Sequence, residues 1–398
     1  MKEDTPKYVL ALGVLLGCLF AVSLPLQAQN TPGVTDREIL IGSCSALEGP
    51  SHFLGTETVT GAKAYFAMIN DAGGVDGRKL KLISYDDSYD PAKTEACFNR
   101  LMEQKVFSLG FFVGTPTAVK YVPMAESNKI PMVGLFTGAQ TLYVPLRHWV
   151  VNVRASYFDE TREQIDGLWG TLGYKKIGVI YPEDAFGAAV LDGVKTALKT
   201  HGAEPIAVAS YQRQTAQVGG AIDTVRAAHP DAVVLVGPAN TVAPILKQSH
   251  AKGWKPLFLT VSFVGTDDLI AEAGADSDGM VITQVVPPYY LTEFKTVALY
   301  RRTLSKYFPS AQPNFVSLEG FVDAMVLAEG LKRAGKDLTR EGLIRGIESI
   351  HELDLGLGPL LKLDYGAKDH KGFDHVLPTV IRGGRAVPFT DWSTATPK

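Results

Sequence analysis

The sequence predicts an α/β protein made of two doubly wound, parallel-sheet lobes. Three observations carry this reading. Short apolar runs alternate with segments of helical period from Asp36 onward. The alternation comes as two successive series that divide near residues 152–154. The length of 398 residues, at about 150 per domain, fits two such units.

Each element has its own signal. Glu38 to Gly42 is a short apolar run, read as a buried strand, and Glu57 to Asn70 places Val59, Ala62, Phe66 and Ile69 at helical spacing before Gly73 and Gly74. Lys79 to Tyr85 is the next strand. Asp90 and Pro91 open a helix to about Lys105, with Asp suited to the N-cap and Pro to the first turn. Val106 to Val113 reads as a strand, Ala118 to Asn128 as a helix and Ile130 to Phe136 as a strand. The rhythm then restarts with a strand at Lys176 to Tyr181 and a helix at Phe186 to His201. Further strands are expected at 205–210, 231–236, 257–262 and 280–286, with helices between them. Helices at 292–307, 316–333 and 339–350 break the alternation, and 356–390 reads as short strands with Gly-rich turns.

The start of the chain has another character. Lys2 and Lys7 precede an apolar run from Tyr8 to Leu26, and Ala28 ends a small-residue site, so residues 1–28 are expected to be a secretory signal peptide. An uncleaved anchor is the first alternative. The second is a lipobox, Leu15-Leu16-Gly17-Cys18, which would put a lipid on Cys18. Each of these readings exports the rest of the chain, and a periplasmic location follows. Cys44 and Cys97 then sit in an oxidising compartment. One lies at a strand end and the other in the second turn of a nearby helix, so a disulfide between them is expected, with two buried thiols as the alternative.

Composition and motifs exclude more than they support. With 39 basic and 42 acidic residues, nothing favours nucleic-acid binding. Neither a P-loop nor a G-x-G-x-x-G fingerprint is present, and Phe53 stands where a nucleophile elbow needs its second Gly. Asp369, His370, Asp374 and His375 form a metal-like string, better read as a polar turn than as convergent ligands. No enzyme, cofactor or metal is expected; an exported hydrolase with a scattered triad is the least favoured reading. Ligands of parallel sheets bind outside the carboxyl ends of the strands. Those ends here are rich in hydroxyls, aromatics and glycine.

The residues at these ends carry a resemblance. Ile39-Leu-Ile-Gly42, Leu47-Glu-Gly-Pro50, Ile69-Asn-Asp-Ala-Gly-Gly-Val-Asp-Gly-Arg78, Tyr85-Asp-Asp-Ser-Tyr-Asp-Pro91, Val113-Gly-Thr-Pro-Thr117, Lys129-Ile-Pro131, Asp184-Ala-Phe-Gly187 and Pro230-Asp-Ala-Val-Val234 follow one another as in the periplasmic substrate-binding proteins of branched-chain amino-acid ABC transporters. The chain resembles that family over about residues 36–390. The resemblance implies a type I, Venus-flytrap fold with a three-crossover hinge. It assigns 36–153 and 287–352 to the first lobe, 154–286 and 353–390 to the second, and 391–398 to a tail. It also implies a monomer that binds an amino acid or related small carboxylate and delivers it to an inner-membrane ABC permease. A periplasmic sensor for a histidine kinase or chemoreceptor is the alternative.

By position in the family's motifs, the implied ligand contacts in the first lobe are Glu48, His52 and Leu54; Thr115, Thr117 and Ala118; and Phe136, Thr137 and Gly138. At the hinge and in the second lobe they are Tyr157, Phe186, Asn240, Ser262, Phe263 and Gln284. Glu48, if it faces the cleft, favours a cationic group. Ala118 replaces the family's usual Ser, so Thr117 is the substitute hydroxyl. No acid stands exactly where amino-acid binders of the family place one near Phe263; Asp267 and Asp268 lie a little further on. Arg154 is read as a lobe–lobe ion pair, with an anion clamp as the alternative.

Overall fold

The computed structural model describes residues 31–395, together with the initiating Met1. The expected leader, Cys18 and the last three residues lie outside the described residues. The first series runs β1 (Glu38–Ser45), α1 (His52–Asp71), β2 (Lys79–Asp86), α2 (Pro91–Glu103), β3 (Ser108–Gly110), α3 (Thr115–Ser127), β4 (Met132–Val133) and β5 (Val150–Val151). Its five strands form a parallel sheet in the order β2-β1-β3-β4-β5.

The second series is α4 (Tyr157–Asp166), β6 (Ile177–Pro182), α5 (Ala185–Thr200), β7 (Ala207–Tyr211), α6 (Gly219–Ala227), β8 (Ala232–Leu235), α7 (Ala239–Ala251), β9 (Leu257–Val261), α8 (Thr266–Ala273) and β10 (Val281–Gln284). The chain then returns to the first lobe as α9 (Lys295–Tyr307), α10 (Phe315–Ala334), α11 (Arg340–Glu348) and a small hairpin, β11 (Leu353–Asp354) with β12 (Lys362–Leu363). It crosses again to add β13 (Leu377–Arg382) and β14 (Arg385–Pro388) antiparallel at the edge of the second sheet, whose order is β14-β13-β10-β9-β8-β6-β7.

Local chemistry fixes where the helices start. Asp90 caps α2 by accepting from the Ala92 N–H, Asp184 caps α5 at Gly187, and Ser156 with Asp159 forms a reciprocal capping box on α4. The packing of α1 on α10 rests on two glycines. A Cβ on Gly61 would lie 1.9 Å from the Ser317 carbonyl oxygen, and one on Gly320 2.1 Å from that of Thr58. The two backbones touch, which holds the returning helix against the first sheet.

Two expectations are corrected. The strands expected at 106–113 and 130–136 are much shorter, because Phe111 and Gly134 take left-handed backbone conformations that end each ladder. A single further bridge, Val113 to Phe136, resumes the pairing just before the loops that follow. Residues 353–373 were expected in the second lobe. Leu357, Leu361, Leu363, Tyr365 and Phe373 instead pack in one core with Ile41, Phe111 and the α10 residues Phe321 and Leu327. Their short strand runs bury an apolar face on the first lobe's helices, and only β13 and β14 join the second sheet.

Cys44, at the end of β1, and Cys97, on α2, are joined by a disulfide, as expected. It ties α2 to the carboxyl end of the central strand. The bond spans 53 residues of sequence, for which chain entropy gives about 4 kcal/mol of stabilisation. Replacing both cysteines with alanine should lower unfolding free energy in urea by about 2–4 kcal/mol, and mild reduction of the wild type should reproduce the loss.

Candidate functional site

The loops at the carboxyl ends of the strands are built by adjacent carboxylates. Asp86 accepts from the N–H groups of Leu47 (2.8 Å), Glu48 (2.9 Å) and Ser88 (2.9 Å) and from the Ser88 hydroxyl (2.6 Å). Burial pulls its pKa up, but these hydrogen bonds outweigh it and hold the carboxyl below its ordinary value. Asp87 accepts from the Tyr89 N–H (2.9 Å) and from the Thr94 hydroxyl. Burial pushes it up to about 6 despite those bonds. Together they hold Ser88 and Tyr89 at φ values of 51° and 55°, a region costly for non-glycine residues. The outcome is that the Tyr89 ring is turned onto the start of α3.

Gly114 precedes α3 at φ 97°, and a Cβ there would lie 1.8 Å from the Tyr89 ring. Glycine is therefore required twice over, by backbone and by space. Thr115 and Thr137 hydrogen bond through their hydroxyls at 2.7 Å, and the Tyr157 hydroxyl donates to Thr137 at 3.4 Å. Gly138 accepts from the Tyr157 N–H at 2.7 Å.

The second lobe meets this surface with aromatic rings. Phe263, just after β9, is the hub: its centroid lies 4.5 Å from Phe186, 5.6 Å from Phe136 and 5.7 Å from Tyr89. Tyr157 stands 5.3 Å from Phe186. Phe136 and Tyr89 belong to the first lobe, so the rings bridge the gap between the lobes. All five are buried, and they make one continuous core from Leu109 and Met132 to Val179 and Leu259. Leu54 seals the side of the gap against Gly265, where a Cβ would sit 2.9 Å from its methyl. Arg213 closes the other side. It donates to the Tyr89 carbonyl, lies 4.3 Å over the Tyr89 ring and pairs with Asp184 at 3.0 Å.

Beneath the rings lies a buried charge network centred on Arg154. Its guanidinium pairs with Glu160 of α4 at 3.0 Å and Glu319 of α10 at 3.1 Å, and donates to Ser262. Glu160 also accepts from the Ser262 N–H (2.7 Å), the Ser262 hydroxyl (3.0 Å) and Thr283 (2.9 Å). Burial acts to neutralise Arg154, but Glu319 and Glu160 outweigh it and keep the guanidinium charged. One cation faces three carboxyls once Asp323 is included. Burial pushes Glu319 up to about 7 against the pull of Arg154, and burial with Glu319 beside it pushes Asp323 well above the usual range. Both shifts favour a proton in this cluster, most strongly on Asp323.

The structure brings Leu54, Thr115, Phe136, Thr137, Gly138, Tyr157, Phe186, Ser262 and Phe263 together at the gap. It turns others away. Glu48 and His52 are exposed, with the His52 ring on the Gly49 carbonyl. The Thr117 hydroxyl donates back to Val113 and Gly114, so it serves its own helical turn, and the Ala118 N–H donates to Gly114. Gln284 is held inside the second sheet by Thr266 and Thr379. Asn240 is half-buried on α7, outside the ring cluster. The metal-like string does not converge: His370 binds Glu348 and His375 binds Asp374. Sequence reasoning missed Tyr89, Arg213, Glu160 and Glu319. Tyr89 had a signal, as an aromatic inside the Tyr85–Pro91 motif; Glu160 lies only six residues after Arg154, in the first turn of α4, whereas Glu319 and Arg213 come from segments distant in sequence.

Two α/β lobes whose strand-end loops meet across a hinge define a clamshell binding protein, and known proteins agree. The profile of the family described as periplasmic binding protein matches residues 38–384, and the chain belongs to that family. It is therefore a solute-binding protein and not an enzyme. The chain is similar to a possible leucine/isoleucine/valine-binding protein from Rhodopirellula baltica, with 31% identity and a TM-score of 0.86 over 92% of this chain and 99% of that one. A fatty acid ABC transporter substrate-binding protein from Thermomonospora curvata superposes with a TM-score of 0.83 over 90% of this chain and 93% of its own, at 22% identity. An amino acid binding protein of Pseudomonas aeruginosa is 24% identical over 267 residues, 65% of this chain and 70% of that protein.

Removing one partner from a buried ion pair leaves the others uncompensated. Arg154→Met should therefore cost about 3–5 kcal/mol in unfolding free energy, measured by urea titration at pH 7. The protonated carboxyls set a pH dependence. The native state keeps a proton that the unfolded chain releases near pH 4.5, so unfolding free energy should fall as pH rises from about 4.5 to about 7. Asp323→Asn, which removes one of the competing acids, should flatten that slope.

Proposed function

We propose that this chain is the extracytoplasmic solute-binding component of an ABC importer. In this reading it works as a monomer that grips an amino acid or related small carboxylate between its lobes and delivers it to an inner-membrane permease. The observation that carries the reading is the ring cluster at Phe263, where loops of both sheets meet face to face. The mechanism follows from its position. A solute held between Phe136 and Tyr89 on one side and Phe186 and Phe263 on the other interacts with both lobes only when they are together. Its affinity is then larger for the closed state, and that difference shifts the population. The names of the relatives point to amino acids in two cases and a fatty acid in one; a carboxylate is common to all three.

The residues divide the work. Phe136, Phe186, Phe263 and Tyr157 supply apolar contact. Thr115, Thr137 and the uncapped start of α3 supply donors. Arg213 latches the second lobe onto Tyr89, and Arg154 holds the hinge segments in register. Closure buries the rings, each worth about 1.5–3 kcal/mol when removed from water. Much of the driving force is therefore already present in the protein, and the solute needs only to tip the balance.

A screen of amino acids and small carboxylates by thermal unfolding should find a stabilising solute, and X-ray scattering should show a smaller radius of gyration when it is added. Scattering that stays the same with every stabiliser would reject the hinge mechanism. Arg213→Ala should weaken affinity for that solute about tenfold, because a hydrogen bond to a charged donor is lost from the closed state alone. The loss should be read in faster dissociation, with unfolding of the solute-free protein little changed.

A further inference from the structure

On the Leu54 side of the gap, across from Arg213, the lobes meet along a second seam that carries acids. The first turn of α8 in the second lobe holds Asp267 and Asp268, and it lies against the first turns of α1 and α10 in the first lobe. Leu54 and Phe53 of α1 and the Asp268 Cβ converge on Gly265, at 2.9, 3.6 and 3.7 Å from where a Cβ would stand there. Asp267 is bound across the seam: it accepts from the Phe315 N–H at the head of α10 (3.2 Å) and from the Tyr289 hydroxyl (2.8 Å). Asp268 is half-buried beside it, yet among the described residues it accepts no hydrogen bond and pairs with no cation.

The groups around Asp268 make a charge there costly once the lobes are together. Burial pushes its carboxyl up to about 6; Glu272, one turn on along α8, and Asp267 push the same way, while His52 of α1 pulls it down. Other charged groups near α8 are engaged elsewhere. Lys247 of α7 faces Glu272, Asp276 after α8 pairs with His250, and Arg385 of β14 lies 3.3 Å over the Tyr290 ring. Burial also raises Asp267 and, on the first-lobe side, Glu57, which accepts from the Asn314 amide at 2.7 Å and is pushed further by Asp267. Two influences on Asp268 act whether the lobes are apart or together, because Glu272 and the amino end of α8 travel with it. Closure adds the apolar cover of Phe53 and Leu54, which strips water from the carboxylate, and the weaker attraction of His52. A carboxylate stripped of water and left without a donor is disfavoured relative to the acid, so the closed state binds a proton more tightly than the open one.

We propose that this seam is a proton-linked latch with Asp268 as its positioning residue: closing the lobes takes up a proton from solvent on the Asp268 carboxyl, and opening returns it. This rests on the reading that the lobes close on solute, and it adds pH as a second input to that closure. The advantage of the closed state is fully present below the ordinary carboxylate range and is lost as pH rises through about 6. Solute is therefore gripped more firmly in mildly acidic surroundings and released more readily near neutrality.

The test follows lobe separation in the full mature protein by double electron–electron resonance. Spin labels are placed through Glu103→Cys on α2 and Lys195→Cys on α5, exposed positions in the first and second lobe. Distances are recorded over a pH series without solute and with leucine. The expected result is a closed-to-open ratio that rises about fivefold from about pH 7.5 to about pH 5. Asp268→Asn, which keeps the shape and cannot ionise, should hold the acid-pH ratio throughout the series. His52→Gln should leave the direction of the pH dependence unchanged. A wild-type ratio that stays constant with pH overturns the inference. So does a pH dependence that persists unchanged in Asp268→Asn or vanishes in His52→Gln. In each of these cases, closure by leucine or by another solute of the wider screen leaves the importer reading standing. A single lobe separation at every pH and with every solute overturns the hinge reading as well.

Discussion

The buried guanidinium of Arg154 is the point through which the two halves of this protein are joined. It lies at the first chain crossing, between β5 and α4, and reaches α10 of the first lobe and α4 and the end of β9 in the second. The rigid, planar guanidinium reaches carboxylates on opposite sides, Glu319 through one terminal nitrogen and Glu160 through the other, in a way that a lysine does not. A cation buried with a surplus of acids fixes the crossing segments in one arrangement, because any other leaves a charge unpaired. That arrangement sets where Ser262 and Phe263 stand, and therefore where the second lobe presents its rings.

The proposed binding surface combines two kinds of rigidity. Asp86 and Asp87 hold the first-lobe loops by many short hydrogen bonds and keep Tyr89 in an otherwise unfavourable backbone conformation. The second lobe contributes packed rings, which tolerate small shifts. A hydrogen-bonded wall facing an apolar wall suits a solute with one polar end and one apolar end.

The latch at Arg213 differs from the hinge in consequence. Its side chain remains partly exposed and its partner across the gap is a backbone carbonyl and a ring face. Such contacts form and break at modest cost, whereas the Arg154 network is sealed. The fold thus places its strong electrostatics where the chain crosses between the lobes and its weaker ones where the lobes meet across the gap.

The alternation of strands and helices, the cap at Asp90 and the pairing of Cys44 with Cys97 were legible from the residues alone, because periodicity, capping and strand-end position are local properties; most of the ring set came from the resemblance to the binding-protein family. The sequence also placed Arg154 in a lobe–lobe ion pair. It misjudged Glu48, His52, Thr117 and Gln284, whose side chains turn to solvent, to their own helix or into the sheet. It did not foresee Glu160, Glu319 or Arg213 as partners, and it assigned residues 353–373 to the other lobe. Those outcomes depend on which distant segments meet. A carboxylate's charge is written in the chain, but whether that charge is spent on a guanidinium or free for a solute is decided only when α4, α10 and the end of β9 come together.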